Sequence, residues 1–239
     1  MQLEILYEDD HYVIINKPSG LLSIPDRHNA EIPSAAAWLR SRYPAIFILH
    51  RLDKETSGVL CFAKDEETHR YTSQLFEHRQ LKKYYSGIVY GTLTHPDGRI
   101  EDPIMEHPVI KGKMIIHHKQ GKPSATDYTT LESFGLFSFM RFDIHSGRTH
   151  QIRIHMQNAG HPIVCDALYG KPDPVFISSL KHRYKIGKDE EEKPMLSRMA
   201  LHASQIIFTD AEGKLIDVSA PLPKDMDALL KQCRKWLKK

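Results

Sequence analysis

The chain has 239 residues, enough to bury one large core or two small ones. Hydrophobic residues make up 41% and charged residues 26%, the balance of a water-soluble globular protein. No apolar run reaches membrane-spanning length, and no basic segment precedes a hydrophobic one at the N-terminus, so neither a membrane span nor a signal peptide is expected. The formal net charge of +3 permits a polyanionic partner without requiring one. Cys61, Cys165 and Cys233 lie far apart with no CxxC pair, which argues against a zinc site or a disulfide framework and fits a reducing cytoplasm.

In chain order, Ile5-Leu6-Tyr7 and Tyr12-Val13-Ile14-Ile15 read as two short strands around the turn at residues 8–11. Asn16-Lys17-Pro18-Ser19-Gly20 breaks the pattern as a turn. Ser34 can cap a helix reaching about Arg42, with Pro44 ending it. His50-Arg51-Leu52-Asp53-Lys54-Glu55-Thr56-Ser57-Gly58 places one carboxylate, Asp53, between the basic residues Arg51 and Lys54, with His50 close by. Positive neighbours favour the ionised form, and an ionised carboxylate can act as a nucleophile. The same pattern also suits a solvated surface loop with a weak salt bridge. The apolar run 59–63 follows and reads as a buried strand, so Asp53 sits on a loop that a rigid element can aim.

Residues 66–77 read as a helix with Tyr71, Leu75 and Phe76 on its core face. Leu81-Lys82-Lys83-Tyr84-Tyr85 leads into a strand at 86–90. His95-Pro96-Asp97-Gly98 is a turn signal. Lys111, Lys113, His117, His118 and Lys119 form a basic patch, either a phosphate-binding surface or a solvated hairpin. Residues 126–131 and 137–142 are strand-like. At 146–155 a turn through Gly147 leads into a helical run that Gly160 can end. His145, His150, His155 and His161 are spaced five or six apart, which is wrong for two metal ligands on one helix face, so no metal is expected. Residues 171–195 read as a polar, mobile insertion. Residues 206–208 and 215–218 read as a hairpin around Glu212-Gly213. The stretch from Lys224 is an amphipathic helix with Leu229, Leu230, Cys233, Trp236 and Leu237 on its apolar face.

His50-Arg51-Leu52-Asp53 followed by Thr56-Ser57-Gly58 resembles the signature of the RluA-type pseudouridine synthases. Five further segments, at 16–20, 81–85, 147–153, 161–170 and 200–203, resemble that family's motifs in the same order. One position departs from it, since Cys165 stands where the family usually has glycine; if that position needs a positive φ, Cys165 is strained.

The resemblance implies an α+β fold, a catalytic domain over 1–223 with a long mixed, mainly antiparallel sheet, and a helix at 224–239 packed on it. It implies isomerisation of uridine to pseudouridine in structured RNA, ribosomal or transfer, by a cytoplasmic monomer with no cofactor, no metal, no membrane and no protein partner. In that family Asp53 would be the covalent catalyst, Arg153 would pair with it, and Tyr85 would stack on the base. Arg51 would fill the gap left by a flipped base, Leu201 would pack beside that base, and Arg148 and His150 would support the loop or contact RNA. Some relatives carry an N-terminal S4 RNA-binding domain. This sequence starts almost at the catalytic segment, so substrate choice is expected to lie in its own loops. The alternatives are a non-catalytic RNA-binding protein on the same fold and a glycosidic-bond hydrolase. The latter normally needs a second carboxylate, and only Asp53 sits in a convincing motif.

Overall fold

The structure is a computed structural model that describes residues 2–29, 31–181, 184 and 191–237. In chain order the elements are β1 (Glu4–Glu8), β2 (Tyr12–Lys17), α1 (Ala35–Arg40), β3 (Phe47–Ile48), β4 (Ser57–Ala63), α2 (Glu66–Glu77), β5 (Lys82–Tyr90), β6 (Asp97–Ile100), β7 (Ile104–Glu106) and β8 (Met114–Ile116). Then follow β9 (Thr126–Ser133), β10 (Phe137–Ile144), α3 (Gln151–Asn158), β11 (Leu201–Thr209), β12 (Leu215–Ser219) and α4 (Lys224–Trp236). All but one of the resolved strand registers are antiparallel, the parallel pair being β4 with β11, so the expected α+β class with a mixed, mainly antiparallel sheet is what the chain adopts. The chain divides into two compact units.

The first unit comprises residues 1–85 and 202–221. Its strands run β1-β2-β4-β11, with β12 on β11 and β3 on β4. Strand β4 is buried at every position, as its unbroken apolar run predicts. Tyr12, Ile14, Val59, Cys61, Ile206, Phe208 and Ile216 make the core, and α2 lays Leu75 into it with Tyr71 and Phe76 alongside. Helix α2 begins where the Asp65 side chain accepts from the Thr68 N–H at 2.8 Å, with Glu66 and Glu67 in its first turn. Helix α1 begins at Ser34 as expected but ends at Arg40, about two residues earlier than predicted.

The second unit comprises residues 86–201 and 222–239. Its strands run from the end of β5 through β10 and β9 to β6, and β7 with β8 form a separate hairpin. The turn predicted at 95–98 is corrected: Asp97 and Gly98 already belong to β6, and Gly98 lies opposite Tyr128. A Cβ at Gly98 would stand 2.5 Å from the Tyr128 hydroxyl, so the glycine makes room for a cross-strand aromatic rather than bending the chain. The hairpin packs Ile104, Met114 and Ile116 against Ile154 of α3 and Tyr169. Helix α4 buries Met226, Leu229, Leu230 and Cys233. Trp236 departs from its expected place on that apolar face: it is exposed, with the Lys181 and Lys235 amines each 4.9 Å from its ring. The expectation of a mobile insertion at 171–195 falls in part outside the described residues. Of the described part, Val175 and Leu180 are buried, and Val175 bridges to the buried Leu196.

Candidate active site

Asp53 opens a tight turn in which the Thr56 N–H donates to the Asp53 carbonyl at 3.1 Å. The backbone is held on both sides of it. On one side, Ser23 Oγ donates to the Leu52 carbonyl at 2.8 Å and accepts from the Leu52 N–H at 3.0 Å, standing in for a missing strand partner. On the other side, the segment 16–20 grips Lys54 and Glu55. The Gly20 N–H donates to the Lys54 carbonyl at 2.9 Å, and Ser19 Oγ donates to the Glu55 carbonyl at 2.6 Å.

The fully buried Lys17 completes this clamp. Its Nζ donates to the carbonyls of Pro18 at 3.1 Å, Leu21 at 2.7 Å and Lys54 at 3.0 Å. An ammonium group has three donors and no acceptor, so three converging carbonyls match it. A buried lysine must be satisfied in this way, because an unpaired charge away from water is costly. The turn expected over 16–20 is confined to Ser19 and Gly20, because Asn16 and Lys17 continue β2. The missed signal was a lysine directly ahead of Pro-Ser-Gly at the end of a buried strand.

The tail of the same motif has structural duties. Ser57 Oγ meets His202 Nδ1 at 2.9 Å in the interior, and Gly58 pairs in parallel with Ala203. Gly58 has φ +114, and a Cβ there would stand 2.1 Å from the Ala203 carbonyl oxygen, so only glycine fits. His50 is corrected from a basic neighbour of Asp53 to a neutral packing group. Its ring stacks on Phe76 at 5.1 Å, and its Nε2 accepts from the Cys61 N–H at 3.1 Å. Burial, reinforced by Lys83, pushes its pKa down to about 3. Arg51 is exposed and Asp53 half-buried.

Tyr85 is buried on β5, whereas Tyr84 is only partly so, the alternation expected of a strand. Burial raises the Tyr85 pKa, and the negative charge of nearby Asp53 raises it further, so the phenol is protonated at neutral pH. Asp53 and Tyr85 are thus electrostatic neighbours within the first unit.

In the second unit, α3 starts from His150, whose φ of +56 is unusual for a residue with a Cβ. Gln151 fixes this start. Its Oε1 accepts from Ser146 Oγ at 2.7 Å and from the Arg148 N–H at 3.2 Å. Its Nε2 donates to the Ala125 carbonyl at 2.8 Å and to Thr126 Oγ1 at 2.9 Å. Arg148 Nε also donates to the Pro123 carbonyl at 3.3 Å, which pins its stem near the loop.

Arg153, one turn into α3, makes a buried two-point pair with Asp166: Nε to Oδ2 at 2.7 Å and Nη2 to Oδ1 at 2.8 Å. Asp166 also accepts from the Leu168 and Tyr169 N–H groups at 2.9 and 3.1 Å. Burial alone would raise the Asp166 carboxyl; the Arg153 fork and the backbone donors outweigh it and hold it below the usual range. The sequence reading placed Asp166 in a segment without a role. An acidic residue following a motif arginine, ahead of Leu-Tyr-Gly, was the available signal. Cys165, just before it, has φ +58, so the position does require the backbone that glycine adopts easily, at a strain of about 1 kcal/mol.

The four histidines weighed as metal ligands each have a separate structural partner. His145 meets Asp127 at 2.6 Å, His150 meets Tyr169 at 2.9 Å, His155 meets Thr126 at 2.9 Å, and His161 meets the Tyr90 carbonyl at 2.9 Å. Leu201 opens β11 and is buried close to Gly87, where a Cβ would meet its Cδ1 at 3.4 Å.

The family model of RNA pseudouridylate synthase matches residues 11–158. The chain is 36% identical to ribosomal large subunit pseudouridine synthase D of Nitrosomonas europaea, over 97% of this chain and 65% of that protein. It is 34% identical to the protein of the same name from Neisseria meningitidis serogroup B, over 98% of this chain and 62% of that one. To the Escherichia coli K12 protein of that name it is 33% identical, covering 97% of this chain and 71% of that one. The chain therefore spans slightly less than two thirds of the first two relatives. Among solved structures, human RNA pseudouridylate synthase domain containing 4 superposes with a TM-score of 0.72 at 25% identity, over 97% of this chain and 93% of that one.

Proposed function

Because the chain belongs to the RNA pseudouridylate synthase family, we propose that it isomerises uridine to pseudouridine in structured RNA, ribosomal or transfer, with Asp53 as the covalent catalyst. The observation that carries this reading is the clamp around Asp53. Lys17, Ser19, Gly20 and Ser23 fix the backbone on both sides of one partly accessible carboxylate, next to a buried tyrosine. A carboxylate that served only solvation would need no such preorganisation.

The reaction breaks the N1–C1′ bond, forms a C5–C1′ bond, moves the C5 proton to solvent and returns one to N1. Asp53 supplies the nucleophile, and Arg153, itself oriented by Asp166, supplies the paired charge. Tyr85 stacks on the uracil. Its hydroxyl is the group assigned to proton transfer at C5. A paired base must leave its helix to be turned over, at about a few kcal/mol; in this reading Arg51, an exposed side chain, stacks in the vacated position. Arg148 and His150 contact the RNA backbone, and Leu201 lines the base pocket. Residues 1–223 act as one catalytic domain with the 224–239 helix as its closing element, in a cytoplasmic monomer.

The test is a pseudouridine map of total RNA from cells lacking the gene, after treatment with purified wild type or with Asp53→Ala. New sites only with wild type support the reading and identify the substrate. RNA that is bound without any new site would point instead to a non-catalytic RNA-binding protein.

A further inference from the structure

His155 is fully buried on α3, one turn beyond Gln151, and the proposed reaction gives it no role. Both side chains meet Thr126, the first residue of β9. The groups at the two ends of this cluster can each play only one part. The Arg148 N–H only donates, so the Gln151 atom that meets it at 3.2 Å is the carbonyl oxygen. The Ala125 carbonyl only accepts, so the Gln151 amide nitrogen faces it at 2.8 Å and also donates to Thr126 Oγ1 at 2.9 Å. At the far end, His155 Nε2 lies 2.9 Å from the Asp102 carbonyl, which again only accepts. Nε2 therefore carries a hydrogen, since a bare nitrogen would set its lone pair against that oxygen. Ser124 Oγ, 3.2 Å from Nε2, donates its own hydrogen to the same carbonyl at 2.6 Å, which agrees.

Burial pushes the His155 pKa below its ordinary value, against the pull of Asp102, so the ring is neutral at pH 7.5. Its one ring hydrogen is on Nε2, and Nδ1 is left with a lone pair. Across the 2.9 Å to Thr126 Oγ1 one partner must supply a hydrogen, and here it is the hydroxyl. The Thr126 oxygen then keeps its lone pairs for the Gln151 amide. We propose that His155 is a positioning residue for the loop at 146–148: through Thr126 it sets the Gln151 amide, and Gln151 holds the Arg148 backbone where the Arg148 side chain meets RNA. The inference rests on the reading of Arg148 as an RNA contact. Thr126, Ser124, Ser146 and Gln151 are buried too, so an amide turned the wrong way would find no water to satisfy it. Arg153 is held separately by Asp166 and does not depend on this chain of bonds.

The test uses the full chain. With nitrogen-15 labelling, two-bond proton–nitrogen correlations at pH 7.5 are expected to show His155, assigned through its backbone resonances, neutral with its hydrogen on Nε2. Thr126→Val removes the linking hydroxyl and keeps a branched residue in the strand. With unmodified large-subunit ribosomal RNA as the probe, it should raise Kd about five- to tenfold, the scale of one weakened phosphate contact. The rate of pseudouridine formation at saturating RNA should stay within about threefold of wild type, because Arg153 keeps its own support. Thr126→Ser, which retains the hydroxyl, should bind within about twofold of wild type. The binding loss of Thr126→Val should vanish in an Arg148→Ala background, since the bonds act through that residue. A wild-type His155 that is protonated on Nδ1 or on both nitrogens overturns the inference, even if Thr126→Val does not fold. So does an unchanged Kd, an equal loss in Thr126→Ser, or a loss that persists without the Arg148 side chain. Failure of the isomerase reading would show as no pseudouridine from wild type, and would leave the tautomer and the Kd comparison standing.

Discussion

Residues 52–55 are held through main-chain hydrogen bonds, whereas the start of α3 is held through the side chains of Gln151 and Arg153. Around Asp53, the neighbours of the motif donate to main-chain carbonyls of Leu52, Lys54 and Glu55. Around Arg153, the fork is gripped directly by Asp166, and the loop before it is gripped by the Gln151 amide. A backbone clamp tolerates changes in the side chain it carries. A charge clamp fails when either partner is lost. The two regions should therefore respond differently to substitution.

The largest expected effect is Asp166→Ala. It strands a buried guanidinium and should cost about 3–5 kcal/mol in denaturant unfolding, together with most activity. A loss under about 1 kcal/mol would mean that the Arg153 pair contributes little to the α3 start. Next comes Tyr85→Phe, which keeps the stacking ring and removes the hydroxyl. Single-turnover kinetics should fall about 10²-fold, the scale of one proton-transfer contribution, with RNA affinity unchanged. Full activity would reduce Tyr85 to a stacking surface.

Lys17→Met should cost about 2–3 kcal/mol, because it removes three bonds from a charged donor. It should also lower turnover more than RNA affinity, since the Asp53 turn loosens while the surface charges stay. A loss of stability without loss of turnover would show that the clamp is structural only. The smallest effect is a pH dependence. His50 has its folded pKa depressed to about 3, so neutral His50 favours the fold. Its contribution is fully present above its ordinary value near 6.5 and is lost as the pH falls toward 3. Thermal unfolding should show up to about 2 kcal/mol of destabilisation between pH 7 and pH 5. His50→Gln, which keeps an acceptor for the Cys61 N–H, should flatten that slope.

What was legible in the sequence follows the same division. Strand and helix boundaries were readable where period and caps agree, as for α2 between Asp65 and Glu77. The glycine-like backbone at Cys165 was readable because one residue type has a conformational preference the others lack. Lys17 and Asp166 carried a signal of position in the sequence, but not of which groups they would hold. Each depends on partners that only folding brings together, Lys54 for one and Arg153 for the other. His50 misled because basic residues adjacent in sequence read as one positive cluster, while its ring turns inward onto Phe76. Gly98 misled because Pro-Asp-Gly has a strong turn preference, and the glycine's use here is space for Tyr128.

The role proposed for Asp53 is covalent catalysis of uridine isomerisation. It is tested most directly with RNA carrying tritium at C5 of uridine, under single-turnover conditions with wild type and Asp53→Asn. Wild type should release tritium to water and convert the same uridine to pseudouridine, with no free uracil. Asp53→Asn should bind that RNA with unchanged affinity and release none. Equal release from Asp53→Asn, or free uracil from wild type, would contradict the account.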